Sequence, residues 1–197
     1  HAKLKLRNND VFAPNEIAIL GSSCSKIAYL VKIISERLST YKIGYFDASH
    51  DKNLTVNSVA NYTFHASGAL RTDQNVAINK FNQRIQFAAY DLVFINGNHY
   101  QGAKQILILD HDKKASVQKR LNQLNAVQFV IKSDEHSTNF DFLKAHQPTI
   151  ENLHSYNLNE IDQIVRHIEN LIKEHIAPVQ GLVLAGGKSI RMGKDKG

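Results

Sequence analysis

Apolar and polar positions along this 197-residue chain fall into two periods. Short unbroken apolar runs bounded by turn residues read as buried strands, and apolar residues spaced by three and four read as one face of a helix. Ile17-Ala18-Ile19-Leu20 is the first such run, and residues 21–25 form the turn after it. Ile27, Leu30, Val31, Ile34 and Leu38 then fit one face of a helix reaching about Ser39. Residues 43–46 predict a second strand that ends at Asp47. Strand, helix and strand in this length make a βαβ unit, which requires parallel strands and a right-handed crossover.

The pattern continues with a short strand at 62–65 and a helix at 74–89 that is rich in Asn and Gln. Residues 91–95 are a strong buried strand ending at Asn96-Gly97-Asn98-His99, and 105–109 are another. A helix at 115–124, a strand at 128–131 and a short helix at 140–145 before Pro148 follow. The last helix has Leu158, Ile161, Val165, Ile168 and Ile172 on one face, up to about His175. Asn157 stands three residues before Glu160, a variant of the capping box that opens a helix. Before all this, Lys3-Leu4-Lys5-Leu6 alternates like an edge strand or an arm. The sum predicts an α/β domain over residues 1–176, with a mostly parallel sheet between helices on both faces. A linker at 177–180, marked by Ala177-Pro178, leads into the opening of a second domain at 181–197.

Composition agrees with a globular chain, at 43% hydrophobic and 21% charged residues. No apolar run is long enough to span a bilayer, and no signal-peptide core lies near the start. A single cysteine, Cys24, excludes an internal disulfide and predicts a reducing, cytoplasmic setting. His1 in first place predicts that the parent protein extends further upstream. The net charge of +6 would ordinarily suggest nucleic acid. Half of that excess lies in the last ten residues, where Lys188, Arg191, Lys194 and Lys196 face only Asp195. The rest is thinly spread without interleaved aromatics, so neither nucleic acid nor a membrane is expected as a partner.

Residues 181–197 carry the strongest chemistry. Leu182, Val183 and Leu184 fit a buried strand, and Ala185, Gly186 and Gly187 break it. Glycines after a strand let the backbone turn sharply and approach a ligand. Backbone N–H groups with several cations suit a triphosphate. The run resembles the opening of molybdenum cofactor guanylyltransferase, the molybdopterin-guanine dinucleotide biosynthesis protein A family, which reads L-A-G-G-x-S-x-R-M-G-x-D-K. Leu184, Ala185, Gly186, Gly187, Ser189, Arg191, Met192, Gly193, Asp195 and Lys196 match it without departure. Related nucleotidyltransferases usually have Pro-Lys where Asp195-Lys196 stands, which favours the molybdenum branch. The resemblance implies that GMP passes from GTP to molybdopterin, with pyrophosphate leaving and magnesium neutralising the phosphates. It also implies that Leu184, Ala185, Gly186, Gly187 and Ser189 contact the nucleotide, with Lys196 and Arg191 on its phosphates. The acidic magnesium ligands and catalytic groups of that family lie downstream of this stretch.

The first turn stands where a P-loop would, but a working loop reads G-x-x-x-x-G-K-[ST]. Lys26 comes five residues after Gly21 instead of six. Aligned on Lys26, Ser25 replaces the second glycine and Ile27 replaces the magnesium-binding hydroxyl. The order of elements over 16–176 resembles molybdopterin-guanine dinucleotide biosynthesis protein B, a P-loop GTP-binding family. That family has G-x-S-G-S-G-K-T-T in the first loop and usually Glu-Gly where Asn96-Gly97 stands here. The domain therefore reads as a degenerate relative, which makes a non-catalytic binding or docking module the rival to an enzyme. A protein partner or a homo-oligomer is compatible with either.

Gly21, Ser22, Ser23, Ser25 and Lys26 have two readings: a residual anion site at a helix N-terminus, or a serine-capped turn. Cys24 sits beside Lys26 at that terminus, a setting that can activate a thiol, yet an inert cysteine is the expectation. Asp47, His50 and Asp51, and Asp110-His111-Asp112, follow strands and could ligate metal, but both stretches are rich in turn residues and solvated loops are the expectation. His99 lies at the carboxyl end of a strand, where open α/β sheets bind ligands.

Overall fold

The computed structural model describes residues 12–49, 60–73, 80–134 and 140–175, together with the backbone of 188–189 and 194–195. Its elements are β1 (Glu16–Leu20), α1 (Cys24–Arg37), β2 (Ile43–Phe46), β3 (Asn61–Phe64), β4 (Leu70–Asp73), α2 (Lys80–Phe87), β5 (Leu92–Asn96) and β6 (Lys104–Leu109). They continue as α3 (Lys114–Gln118), β7 (Val127–Lys132), α4 (Asp141–His146), β8 (Ser155–Asn157), α5 (Ile161–His175), β9 (Lys188–Ser189) and β10 (Lys194–Asp195).

Six strands form one sheet in the order β2-β5-β1-β6-β7-β8, and every neighbouring pair is parallel. All five residues of β1 are buried because the strand lies inside the sheet, between β5 and β6, and is covered on both faces. Alternation along the strands separates two cores. Ile17, Ile19, Phe94, Ile106, Ile108, Phe129 and Ile131 face α1 and α5. Leu20, Leu107, Leu109 and Val130 meet Val117 of α3 and Leu143 of α4 on the other side. Beside that second core, Ala18, Val93 and Ile95 pack with Phe12, Phe46, Phe87 and Tyr100. Each fully buried aliphatic or aromatic side chain contributes roughly 1.5–3 kcal/mol, so β1 and its neighbours dominate the stability.

The expected mostly parallel α/β sheet with helices on both faces is thus the observed architecture. β1 and β2 are not neighbours, however, since β5 inserts between them. The short strand expected at 62–65 is β3, and its partner β4 was not anticipated; the two form an antiparallel hairpin of their own. The helix expected over 74–89 is seen from Lys80, and 74–79 lie outside the described residues. The helix expected over 115–124 stops at Gln118, and a separate 3-10 turn follows at Leu121–Gln123.

The largest correction concerns α5. It starts at Ile161, and its buried residues are Ile164, Ile168, Leu171 and Ile172. Leu158 precedes the helix and is 45% exposed, while Ile161 and Val165 are only partly buried. Residues 155–157 form β8, an edge strand of the sheet, and the chain turns before the helix begins. The capping relationship survives in one half: the Asn157 N–H donates to the Glu160 carboxylate at 2.6 Å. Lys3 to Leu6, Ala177-Pro178 and Leu182 to Leu184 lie outside the described residues.

Candidate functional site

The carboxyl ends of β1, β5 and β6 meet where the chain crosses from one side of β1 to the other. Such switch points are where open α/β sheets bind ligands. Gly21 makes the tight exit from β1 with φ +93°, and a Cβ there would collide with the Ile108 carbonyl oxygen. Only glycine lets the turn lie this close to β6. Ser23 then caps α1, with extended backbone and a side chain that accepts the Lys26 N–H at 3.3 Å. Ser25 lies 3.1 Å from Ser23, hydroxyl to hydroxyl.

The structure gives this turn a partner that the sequence did not reveal. Ser22 is buried and its hydroxyl donates to Asp110 Oδ2 at 2.7 Å. The Lys26 ammonium donates to the same oxygen at 3.0 Å. Asp110 directly follows β6, is 4% exposed, and also accepts the Asp112 N–H. Burial alone pushes its carboxyl up, but hydrogen bonds from Ser22 and Lys26, with the lysine charge, outweigh that and hold it below the ordinary value. The hydrogen bond to Asp110 likewise raises Lys26. The turn therefore carries its own internal anion. A solvated-loop reading does not fit Asp110, and the available signal was its place directly after the apolar run 105–109.

On the opposite side of the α1 N-terminus lies a second cluster. Cys24 Sγ is 3.2 Å from His99 Nε2, and that nitrogen is 3.8 Å from Asp47 Oδ1. The Tyr45 hydroxyl donates to Asp47 Oδ2 at 2.8 Å. Burial, then that hydrogen bond, push the Tyr45 phenol well above its ordinary value. Asn98 donates to the Ser22 carbonyl at 2.8 Å, and Arg120 donates to the Asn98 carbonyl at 2.8 Å. Residues 24, 47 and 99 come from the ends of three different elements, so no sequence spacing connects them. His50 and Asp51 lie outside the described residues.

Between α1 and the start of α5 is a cleft of about 370 Å³, lined by Lys26, Tyr29, Ile33, Leu158 and Ile161 among others. Its walls are mostly apolar, and it opens beside Ser22 and Lys26.

Magnesium, which the P-loop resemblance implies, does not fit the turn. Ile27 stands where the hydroxyl ligand belongs and is fully buried in the core. Among the described residues no group of three His, Cys, Asp or Glu side chains is placed to hold a metal. Of the C-terminal motif, Lys194 pairs with Ser189 and Asp195 with Lys188 in a two-stranded antiparallel ladder. Leu184, Ala185, Gly186, Gly187, Arg191 and Lys196 lie outside the described residues. No helix among the described residues is long and apolar enough to cross a membrane.

No protein-family model matches the sequence, and no curated protein matches it significantly. Solved structures do match. A structure of MobB from Bacillus subtilis aligns over 77% of this chain and 96% of its own, with TM-score 0.52 and 13% identity. A MobB homologue from Bacillus stearothermophilus aligns over 81% and 99%, with TM-score 0.51 and 14% identity. A structure described as molybdopterin-guanine biosynthesis protein B covers 80% and 99%, with TM-score 0.50 and 13% identity. At such identities the likeness is one of fold: the described part of the chain has the mostly parallel, P-loop-like α/β fold of these MobB structures.

Proposed function

We propose that this chain works in molybdenum cofactor biosynthesis as a MobB-like binding domain placed ahead of a guanylyltransferase. The observation that carries this reading is the coincidence, on one chain, of a MobB-like fold and the run Leu184 to Lys196. Neither feature predicts the other, and the names attached to both belong to one dinucleotide-forming chemistry. In the transferase reaction, a terminal phosphate of molybdopterin attacks the α-phosphorus of GTP and pyrophosphate leaves. Magnesium, when bound, would offset the phosphate charge. Leu184, Ala185 and Gly186 would offer backbone groups to the nucleotide, with Gly187 and Ser189 beside them. Arg191 and Lys196 would stabilise the charge that grows on the pyrophosphate.

The first domain would bind without hydrolysing. Its turn lacks the magnesium hydroxyl because Ile27 is a core residue, and its lysine already faces Asp110. A fold retained with its phosphate machinery altered suits recognition or docking. The test is dinucleotide formation from GTP, magnesium and molybdopterin by a protein carrying this chain and the domain its motif opens. No dinucleotide from that protein counts against the transferase reading.

A further inference from the structure

We propose that the β3–β4 hairpin joins two copies of this chain, edge to edge along β4, into one four-stranded antiparallel sheet. Among the described residues, β3 and β4 pair with each other and not with the six-stranded sheet. The His65 N–H closes their turn by donating to the Ala69 carbonyl at 2.8 Å, and Gly68 takes φ +85° there. Residues opposite each other in a ladder share a face, so the register sorts the side chains. Tyr62 lies opposite Thr72 and Phe64 opposite Leu70, while Asn61 lies opposite Asp73 and Thr63 opposite Arg71. One face is therefore largely apolar and the other polar. Tyr62, Phe64 and Leu70 are 62%, 79% and 52% exposed, so a single copy leaves the apolar face largely open to water. A two-stranded hairpin is marginal in water and gains from further strands and a covered face.

The charges on β4 say what adds those strands. Arg71 and Asp73 share the polar face and lie 2.8 Å apart. Sheet edges commonly carry charges that keep other chains away. Opposite charges two residues apart do the reverse for an antiparallel copy of the same strand. A slip by one residue would set the apolar face of one copy beside the polar face of the other. Of the registers that keep the apolar faces together, Arg71 opposite itself or Asp73 opposite itself brings like charges face to face. Thr72 opposite itself places Arg71 of each copy opposite Asp73 of the other, and opposite charges across a ladder attract. The edge is thus complementary to itself, which favours a second copy over an unrelated chain. The joined sheet gathers Tyr62, Phe64 and Leu70 of both copies on one face. Each copy also carries an apolar stripe on α2, where Phe81 and Ile85 stand one turn apart, suited to packing on such a face. The proposal does not depend on the ligand or the reaction of the chain.

The experiment measures the mass of the whole chain in solution by sedimentation over a range of concentrations. Wild type is expected to dimerise. Arg71→Asp and Asp73→Arg, each shown by circular dichroism to be folded, are expected to dimerise at least ~10-fold more weakly, because two symmetric pairs turn repulsive. An equimolar mixture of the two variants should recover the dimer, since each altered residue then faces its opposite charge. Should either variant not fold, the double variant Arg71→Asp/Asp73→Arg, which keeps the pair within each copy, carries the comparison. It is expected to dimerise with itself as wild type does, and native mass spectrometry should find few mixed dimers with wild type. A wild type that stays monomeric, whether alone or because something else covers the hairpin, overturns the proposal. So do single variants that dimerise as well as wild type, a mixture no better than its components, or free mixing of the double variant with wild type.

Discussion

The Lys26 ammonium rests 3.0 Å from the Asp110 carboxylate, across the switch point of the sheet. Asp110 is the buried partner and Lys26 the exposed one, with side-chain exposures of 6% and 61%. The exposed lysine gains little from the pair in water, so the consequence lies with the carboxylate. Asp110→Ala leaves the buried Ser22 hydroxyl without its acceptor and should cost about 1–3 kcal/mol. Because the folded carboxyl is held below its unfolded value, its stabilisation is present above about pH 4 and is lost as pH falls through the folded value. Urea unfolding of wild type and variant between pH 7 and pH 3 measures both effects. The two curves should draw closer toward the acid end, while the variant stays below because it lacks the acceptor for Ser22 at every pH.

GTP and ATP should not be hydrolysed by residues 1–176. The missing hydroxyl at Ile27 and the serine at position 25 remove two groups that a working loop uses. Steady phosphate release with magnesium, lost in Lys26→Ala, would contradict this.

Ile168→Asp should unfold or aggregate the domain, since Ile168 is fully buried between α5 and the sheet. Leu158→Asp should change stability by no more than about 0.5 kcal/mol, because Leu158 is exposed and precedes the helix. Thermal melts of the two variants separate the observed helix face from the one that simple spacing suggests.

His167 supplies a second pH dependence. It packs 4.5 Å from the Phe129 ring, and its Nδ1 lies 2.9 Å from the Tyr156 hydroxyl. Burial, then the neighbouring His154, push the imidazole below its ordinary value; Glu174 pulls weakly the other way. The neutral form is thus favoured in the folded state. Its contribution is present above about pH 6.5, the unfolded value, and is lost as pH falls through the folded one. The urea midpoint should drop between pH 7.5 and pH 5.5, and His167→Gln should flatten that drop.

Much of the fold was legible because buried parallel strands are continuous apolar runs. Residues 17–20, 91–95 and 105–109 announce β1, β5 and β6 by that feature alone. The face of α1 was legible for the same reason, since Ile27, Leu30, Val31 and Ile34 meet a covered sheet. Strand β8 was not, because an edge strand of three residues with one buried tyrosine carries no period. Missing it displaced the expected start of α5. The turn residues Gly21 to Lys26 could be singled out from their position after a strand. Their partner Asp110 lies 84 residues from Lys26, and His99 lies 75 residues from Cys24. Only the strand order β5-β1-β6 brings those side chains to one end of the sheet.

The central claim is that a MobB-like domain here precedes a guanylyltransferase, and Lys196 is its most exposed point of test. A fixed ammonium beside the leaving pyrophosphate stabilises charge that develops only in the transition state. The measurement is single-turnover dinucleotide formation from GTP, magnesium and molybdopterin, by wild type and Lys196→Ala of a protein containing both parts. The account predicts product from wild type and a rate about 10²–10³ lower in the variant, with the thermal melt of the first domain unchanged. Dinucleotide formation at the wild-type rate in Lys196→Ala would contradict it.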